Sequence, residues 1–175
     1  MKTSVKVVSC MLFFTLLITL SCNPPQTAEN ESATPENPLV GAWRLMEVTI
    51  PGEPPTIISV TPEHPNLMIF TGKHFSFMNI MSADGTRPGL PQEGATDAQI
   101  AAALTPVAAF AGTYEIEGNM VTFRYIIDND PNAMVPGNFM TAELKFEGDT
   151  FSWTPKTTQN GPVELQIVSK HVRIE

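Results

Sequence analysis

Cysteine is almost absent from this sequence. Its 175 residues include two, Cys10 and Cys22, and both precede the region that is expected to fold. No disulfide, thiolate nucleophile or cysteine metal site is therefore expected in the folded region. Basic residues are also few, with 10 Lys and Arg against 18 Asp and Glu. Because phosphate binding depends on clustered Lys and Arg, nucleic acid is not an expected partner.

The sequence also lacks an apolar run long enough to cross a bilayer as a helix, which takes roughly 20 residues. Residues 7–20 form a shorter run that follows two lysines, which is typical of a signal peptide. The run ends in Leu-Ser-Cys at residues 20–22, which resembles the bacterial lipobox, although Thr19 replaces the usual Leu. The pattern predicts a removable leader and a lipid on Cys22. The alternative is an ordinary secreted or membrane-tethered protein in which Cys22 is incidental.

These features predict three parts: a lipoprotein signal peptide over 1–21, the lipidated cysteine with a disordered linker over 22–38, and a folded domain over 39–175. The linker has no apolar side chain larger than Ala or Pro, so it has nothing to bury. Without the leader, 8 basic residues face 18 acidic ones, a formal charge of −10. We expect an exported protein that contacts the membrane through its N-terminal lipid. Asn23, where some bacteria use an inner-membrane retention aspartate, favours the outer membrane, facing the periplasm or the surface.

From Leu39 onward, short segments alternate apolar and polar residues with a period of two, which predicts antiparallel strands with one buried face. Three hairpins are expected, and their turns contain glycines that can adopt the positive φ of a tight turn; these turns lie at 71–73, 118–119 and 147–149. A first strand near 41–49 and a last near 163–174 bring the number to eight. Eight strands can close into a barrel around a small cavity.

Two of these strands carry a more detailed prediction. In the second hairpin the alternation places four apolar residues on one face: Val121, Phe123, Tyr125 and Ile127. The strand over 67–70 is apolar on both faces, so we expect its outer face to be covered by the linker helix or by a neighbouring chain.

One helix is predicted, over Asp97 to Leu104, where Thr96 and Gln99 have the spacing of a capping box. It is followed by Pro106 and lies within a Pro- and Gly-rich connection over 82–109. Such a long connection suits either a plain helix that covers one barrel mouth or a moving lid.

Three segments resemble lipocalin-like proteins. Residues 39–45 include the Gly-x-Trp pattern of Gly41 and Trp43, and residues 111–123 and 146–151 are similar to the mid-barrel hairpins of bacterial lipocalin-like domains. The resemblance implies an all-β fold: an antiparallel up-and-down eight-stranded lipocalin-like β-barrel, here with one short helix. It also implies that the indole closes one end of the barrel beneath an arginine, for which Arg173 is the matching residue. Carriage or sensing of small hydrophobic molecules is the implied function.

The sequence offers little for catalysis, and no cofactor or metal is expected. His64, His74 and His171 lack metal-ligand spacing, and no nucleophile elbow, phosphate loop or dinucleotide fingerprint occurs. Residues 128–131 read Asp-Asn-Asp-Pro, which is better explained as a turn than as a calcium loop. The protein is therefore expected not to be an enzyme. The least favoured hypothesis is a barrel enzyme that uses Glu63, His64 or Tyr114.

The predicted barrel interior is rich in aromatic and thioether side chains, which suit loosely shaped hydrophobic ligands. The candidate ligand-binding residues are Met68, Phe75, Phe77, Tyr114, Phe123, Tyr125, Met140 and Trp153. The leading hypothesis is a membrane-anchored binder of a small hydrophobic or amphipathic molecule. The alternative is a structural or protein-interaction lipoprotein whose barrel is filled by these same side chains. The sequence favours neither interior, and it leaves the oligomeric state open.

Overall fold

The computed structural model describes residues 37–175 of the chain. The predicted leader, Cys22 and the linker as far as residue 36 lie outside the described residues. Within the described part, no helix has the length and apolar character needed to cross a membrane.

Ten strands and one α-helix make up the described chain. The strands are β1 Gly41–Ile50, β2 Thr56–Ser59, β3 Asn66–Phe70, β4 His74–Ile80, β5 Val107–Glu117, β6 Met120–Asp128, β7 Met140–Glu147, β8 Thr150–Thr158, β9 Gly161–Pro162 and β10 Val168–Arg173. The helix α1 spans Asp97–Leu104, and a single 3₁₀ turn spans Pro131–Met134. All strand pairings between described residues are antiparallel.

Eight of these strands close into a barrel in the order β1-β3-β4-β5-β6-β7-β8-β10. Closure comes from β10, which pairs with β1 on one side and with β8 on the other. The two short extra strands, β2 and β9, pair at the edges of β1 and β8. The predicted fold class is therefore confirmed, because strand number, direction and closure all agree with it.

The two ends of the barrel differ. At one end, tight turns join β3 to β4, β5 to β6, and β7 to β8, with Gly118 and Gly148 at φ of +63° and +58° as the turns require. We call this the closed end; β1 begins and β10 finishes there. The other end carries the long connections, including the one with α1, and we call it the open end.

The predicted inward face of β6 is correct for three residues and wrong for the fourth. A β-bulge in the pairing with β5 inserts Ile126, so Tyr125 pairs with Gly112 while Ile127 pairs with Ala111. Since one extra residue reverses the alternation, Ile127 faces outward and is 60% exposed. Gly112 permits this bulge, because a Cβ there would collide with the backbone carbonyl oxygen of Arg124.

The predicted helix and its cap are present with the expected bounds. The Thr96 hydroxyl accepts a hydrogen bond from the Gln99 amide at 3.3 Å, and the Gln99 side chain accepts one from the Thr96 amide at 2.9 Å. Of the helix residues only Ala103 is buried. The helix therefore leaves the outer face of β3 and β4 uncovered, and Ile69 and Met78 on that face are 40% and 50% exposed.

Candidate functional site

The closed end is sealed by Trp43, which is 1% exposed. The guanidinium carbon of Arg173 lies 4.1 Å from the centroid of the indole, so the structure brings together the two residues that the resemblance pairs. Arg173 also donates hydrogen bonds to the carbonyl oxygens of Val40 and Pro38, at 2.6 and 2.8 Å. Gly41 leaves room for this arrangement, because a Cβ there would lie 2.6 Å from Nη1 of Arg173 and even closer to the backbone oxygen of Glu175.

Tyr114, a candidate ligand-binding residue, lies at this closed end. Its hydroxyl donates to the carbonyl oxygen of Thr71 at 2.6 Å and accepts from the Asn37 side chain at 2.7 Å. Nearby, the Trp43 indole donates to the carbonyl oxygen of Leu39 at 2.7 Å. These contacts hold the entering chain against the base of the barrel.

Four of the candidate ligand-binding residues lie in the middle of the barrel, packed among other rings. Met68, Phe75 and Phe123 are at most 2% exposed, and Trp153 is 8% exposed. The Phe123 ring lies 4.7 Å from that of Phe75 and 5.1 Å from that of Trp153, both in edge-to-face geometry. In this half of the interior the rings pack directly against one another.

The remaining candidates lie nearer the open end, where the packing is looser. Phe77 is 8% exposed, whereas Tyr125 and Met140 are only partly buried. Phe110 packs between them, 4.8 Å from the Phe77 ring and 5.5 Å from the Tyr125 ring. With the buried side chain of Asn79, these residues form a half-open apolar surface that we call the aromatic rim: Phe77, Asn79, Phe110, Tyr125 and Met140.

Two members of the aromatic rim, Phe110 and Asn79, escape prediction from the sequence. Phe110 directly follows the predicted connection over 82–109, whereas β5 begins at Val107. Alanines occupy both faces of this strand, so it shows no apolar and polar alternation. Asn79 is polar at an inward position of β4, and an alternation of polar and apolar residues cannot identify such a position.

His171, whose place on the last strand suggests a structural or rim-facing role, lies in the interior. It is 1% exposed and stacks on the Phe151 ring at a centroid distance of 4.8 Å. Neither ring nitrogen has a hydrogen-bond partner among the described residues. Burial lowers the pKa of His171 to about 3, so the ring is neutral at physiological pH.

The residues of the enzyme hypothesis do not come together. The imidazole Nε2 of His64 is bound to the carbonyl oxygen of Ile80 at 2.6 Å near the open end, whereas Tyr114 lies at the closed end. Glu63 is exposed. In the 128–131 turn, the Asp130 side chain accepts from the Asn132 amide and caps the 3₁₀ turn. Among residues 37–175, no three His, Asp or Glu side chains are grouped closely enough to hold a metal ion.

Two apolar clefts lie on the outside of the barrel, on the face formed by β3, β4, β5 and β6. One has a volume of about 370 Å³ and includes Leu67, Met78 and Val107; the other, of about 290 Å³, includes Met78 and Ile127. Both are open to solvent. Their linings combine outward-facing side chains with residues of the aromatic rim, Asn79 in the first cleft and Phe77 and Phe110 in the second. This face is therefore an exposed apolar surface.

In strand number, order and closure, the domain is the eight-stranded antiparallel barrel that the resemblance to lipocalin-like proteins implies. It is similar to the crystal structure of a lipocalin-like protein from Bacteroides uniformis, with 16% sequence identity and a TM-score of 0.44, over 79% of this chain and 100% of that chain. No protein-family model matches the sequence, and no curated protein matches it.

Proposed function

We propose that this protein binds a small hydrophobic or amphipathic molecule, without chemistry, at the open end of its barrel. The observation that carries the proposal is the contrast between the two ends. The closed half is filled with rings that are almost fully buried, whereas the inward-facing Phe110, Tyr125 and Met140 remain partly exposed. Partly exposed aromatic and thioether groups are common in the lining of small-molecule sites.

The proposal narrows the set of ligand-contacting residues. Met68, Phe75 and Phe123 support the rim from below, and Tyr114 is engaged in hydrogen bonds at the closed end. The ligand would instead contact the aromatic rim, and its contact surface would be shallow. We therefore expect a modest affinity and a tolerance for ligands of different shape.

The test is a binding measurement with the uncharged fluorescent probe N-phenyl-1-naphthylamine. Wild-type protein should enhance its fluorescence, and Phe110→Ala should weaken binding about tenfold, because burial of a phenyl ring against a ligand contributes at least about 1.4 kcal/mol. Phe146→Ala is the matched control, since Phe146 is 39% exposed on β7 near the closed end. If the folded wild-type protein does not bind the probe, the proposal is wrong.

Native mass spectrometry of the protein purified from its own host adds a test without a chosen ligand. A co-purifying small molecule that is lost from Phe110→Ala and kept by Phe146→Ala would identify the ligand class directly.

The second candidate function is protein interaction through the outer apolar face, which the two external clefts favour. Met78 borders both clefts and is 50% exposed. If that face associates with another copy of the chain, Met78→Glu should convert the associated form to a monomer in sedimentation velocity experiments and leave probe binding unchanged. If Phe110→Ala loses probe binding while Met78→Glu keeps it, the first function is favoured.

We also propose that the protein is a lipoprotein of the bacterial cell envelope. The support is the sequence pattern at residues 7–22. In a bacterial host fed an alkyne fatty acid, the wild-type protein should be labelled and sediment with membranes, whereas Cys22→Ser should be unlabelled. Equal labelling of Cys10→Ser and wild type is the control; an unlabelled wild-type protein contradicts the proposal.

A further inference from the structure

The two external clefts join into one groove along the open-end half of β5. Because Phe110 packs against the core, its neighbours Ala109 and Ala111 turn outward, and these small side chains form the floor of the groove. Met78 on β4 and Ile127 on β6 form the walls and are 50% and 60% exposed. Met78 and Ala109 line both clefts, so the groove is continuous. A floor of small side chains between apolar walls has a shape that accepts a helix.

The helix α1 has an apolar face that the described chain leaves exposed. Residues at positions i, i+3, i+4 and i+7 share one side of a helix, and in α1 these are Asp97, Ile100, Ala101 and Leu104. Ile100 and Leu104 are 38% and 55% exposed, and the one buried helix residue, Ala103, lies on another side. A helix this short depends on the packing of an apolar face for most of its stability. This face of α1 is therefore suited to a partner.

The charges beside the groove and on the helix are complementary. Arg87 lines the first cleft, and among the described residues it is the one basic side chain in the lining of either cleft. Asp97 begins α1 on the same side as Ile100 and Leu104. Neither Arg87 nor Asp97 has an ion-pair partner within residues 37–175. A helix like α1 in the groove can therefore place its carboxylate against Arg87 while its apolar side chains cover Met78.

A second copy of the chain can supply this helix. Within one chain, Thr105 and Pro106 join α1 directly to the open end of β5, and the groove walls Met78 and Ile127 remain exposed. The chain's own helix therefore does not fill the groove. In a two-fold dimer each chain would place α1 in the groove of the other, so the same two surfaces would be used twice. Closed two-fold dimers are the commonest form of self-association among soluble proteins.

We propose that two copies of the chain form a two-fold dimer in which α1 of each copy docks in the β5 groove of the other. Asp97 pairs with Arg87 of the second copy, and Leu104 packs on the apolar wall that Met78 forms. This inference rests on the second candidate function, association through the outer apolar face, and it names the surface that binds there. Because two eight-residue helices cover a small area, the dissociation constant should be in the micromolar range.

Sedimentation velocity over a series of concentrations tests the proposal on the chain over residues 23–175. The barrel closes on itself within residues 37–175 and has its own core, so this chain is suitable. The wild-type protein should shift from monomer to dimer as its concentration rises, with no larger species. Leu104→Glu should weaken the dimer at least about 100-fold, because a two-fold dimer would bury the new carboxylate twice against apolar side chains. Ala102→Glu is the matched control: it adds the same charge to an exposed side of α1 away from the docking face, and it should dimerise like wild type.

A charge exchange tests the direction of the helix in the groove. Arg87→Asp and Asp97→Arg should each weaken the dimer about tenfold, since one exposed ion pair contributes little but a two-fold dimer contains it twice. The double variant that carries both changes should regain the wild-type affinity. Its control combines Arg87→Asp with Glu164→Arg, which gives the same net charge. Glu164 is exposed on the connection before β10, so this control should stay weak.

The outcomes separate this inference from the function on which it rests. A wild-type protein that stays monomeric, or a charge-exchanged double variant as weak as the single ones, overturns the inference. If Met78→Glu is monomeric while Leu104→Glu associates like wild type, the outer face associates, but α1 is not what it binds. If both variants are folded by circular dichroism and associate like wild type, the inference and the second function both fail.

Discussion

His171 is held neutral inside the barrel, and this has a consequence for acid stability. The ring stacks on Phe151 without a hydrogen-bond partner among the described residues, and burial lowers its pKa to about 3. In the unfolded chain a histidine titrates near 6.5. Between these two values the unfolded chain binds a proton that the folded barrel does not, so the free energy of unfolding falls as the pH falls through this window.

We predict that, because of His171, the free energy of unfolding falls by up to about 1.4 kcal/mol for each unit by which the pH is lowered between about 6.5 and 3. His171→Phe preserves a ring against Phe151 and cannot titrate, so its urea unfolding curves should lose this part of the pH dependence. His74→Gln is the control, because His74 is exposed at the start of β4 and the change should leave the profile as in wild type. Parallel pH profiles for His171→Phe and wild type would contradict the prediction.

At the scale of the secondary-structure element, the β-bulge between β5 and β6 decides which side chains reach the rim. It keeps Tyr125 inward and turns Ile127 outward. The bulge depends on Gly112, because a Cβ there would overlap the carbonyl oxygen of Arg124 and lie about 3 Å from the Cα of Tyr125. Both of these are backbone atoms, so the collision cannot be relieved by a change of rotamer.

Gly112→Ala should therefore destabilise the protein by about 1–3 kcal/mol or prevent folding, the usual cost of forcing an extra methyl group into a packed site. Gly72→Ala is the matched control: it also adds one methyl group, and nothing lies within 4 Å of that position. Chemical denaturation measures both. If the two variants are equally stable, the close approach of β5 and β6 at Gly112 does not exist in solution.

At the scale of the whole molecule, the described chain begins to take part in the barrel before the first strand. Asn37 hydrogen-bonds to Tyr114, Leu39 is 0% exposed, and its carbonyl oxygen accepts from Trp43. Arg173, more than 130 residues away, binds the carbonyl oxygens of Val40 and Pro38. Residues 37–40 are thus part of the closed end.

A chain that starts at Asn37 should therefore be as stable as one that starts at Asn23, whereas a chain that starts at Gly41 should lose about 2–4 kcal/mol. The loss combines the burial of Leu39 with the hydrogen bonds at the closed end. Urea unfolding of the three chains provides the comparison. Equal stability of the Gly41 and Asn37 chains would show that the closed end does not need these residues.

Much of the fold follows from the sequence. The alternation over residues 140–146 and the turns with Gly118 and Gly148 predict hairpins, because a strand exposes alternate residues to opposite faces and a tight turn needs a positive φ. The helix over 97–104 is predicted by its capping box, since that motif depends on residues only three positions apart. These signals are local, so a single sequence carries them completely.

The tertiary structure alone decided how the barrel is filled. Whether an inward ring is buried or partly exposed depends on what the opposite strands contribute, and those strands are distant in sequence: the rim joins Phe77, Phe110, Tyr125 and Met140 from four strands. The bulge that turns Ile127 outward depends on the backbone of β5, and the isolation of His171 depends on its neighbours across the barrel. Local pattern determined the strands and turns, because each is set by adjacent residues; the binding surface required closure of the sheet, because only closure brings those side chains together.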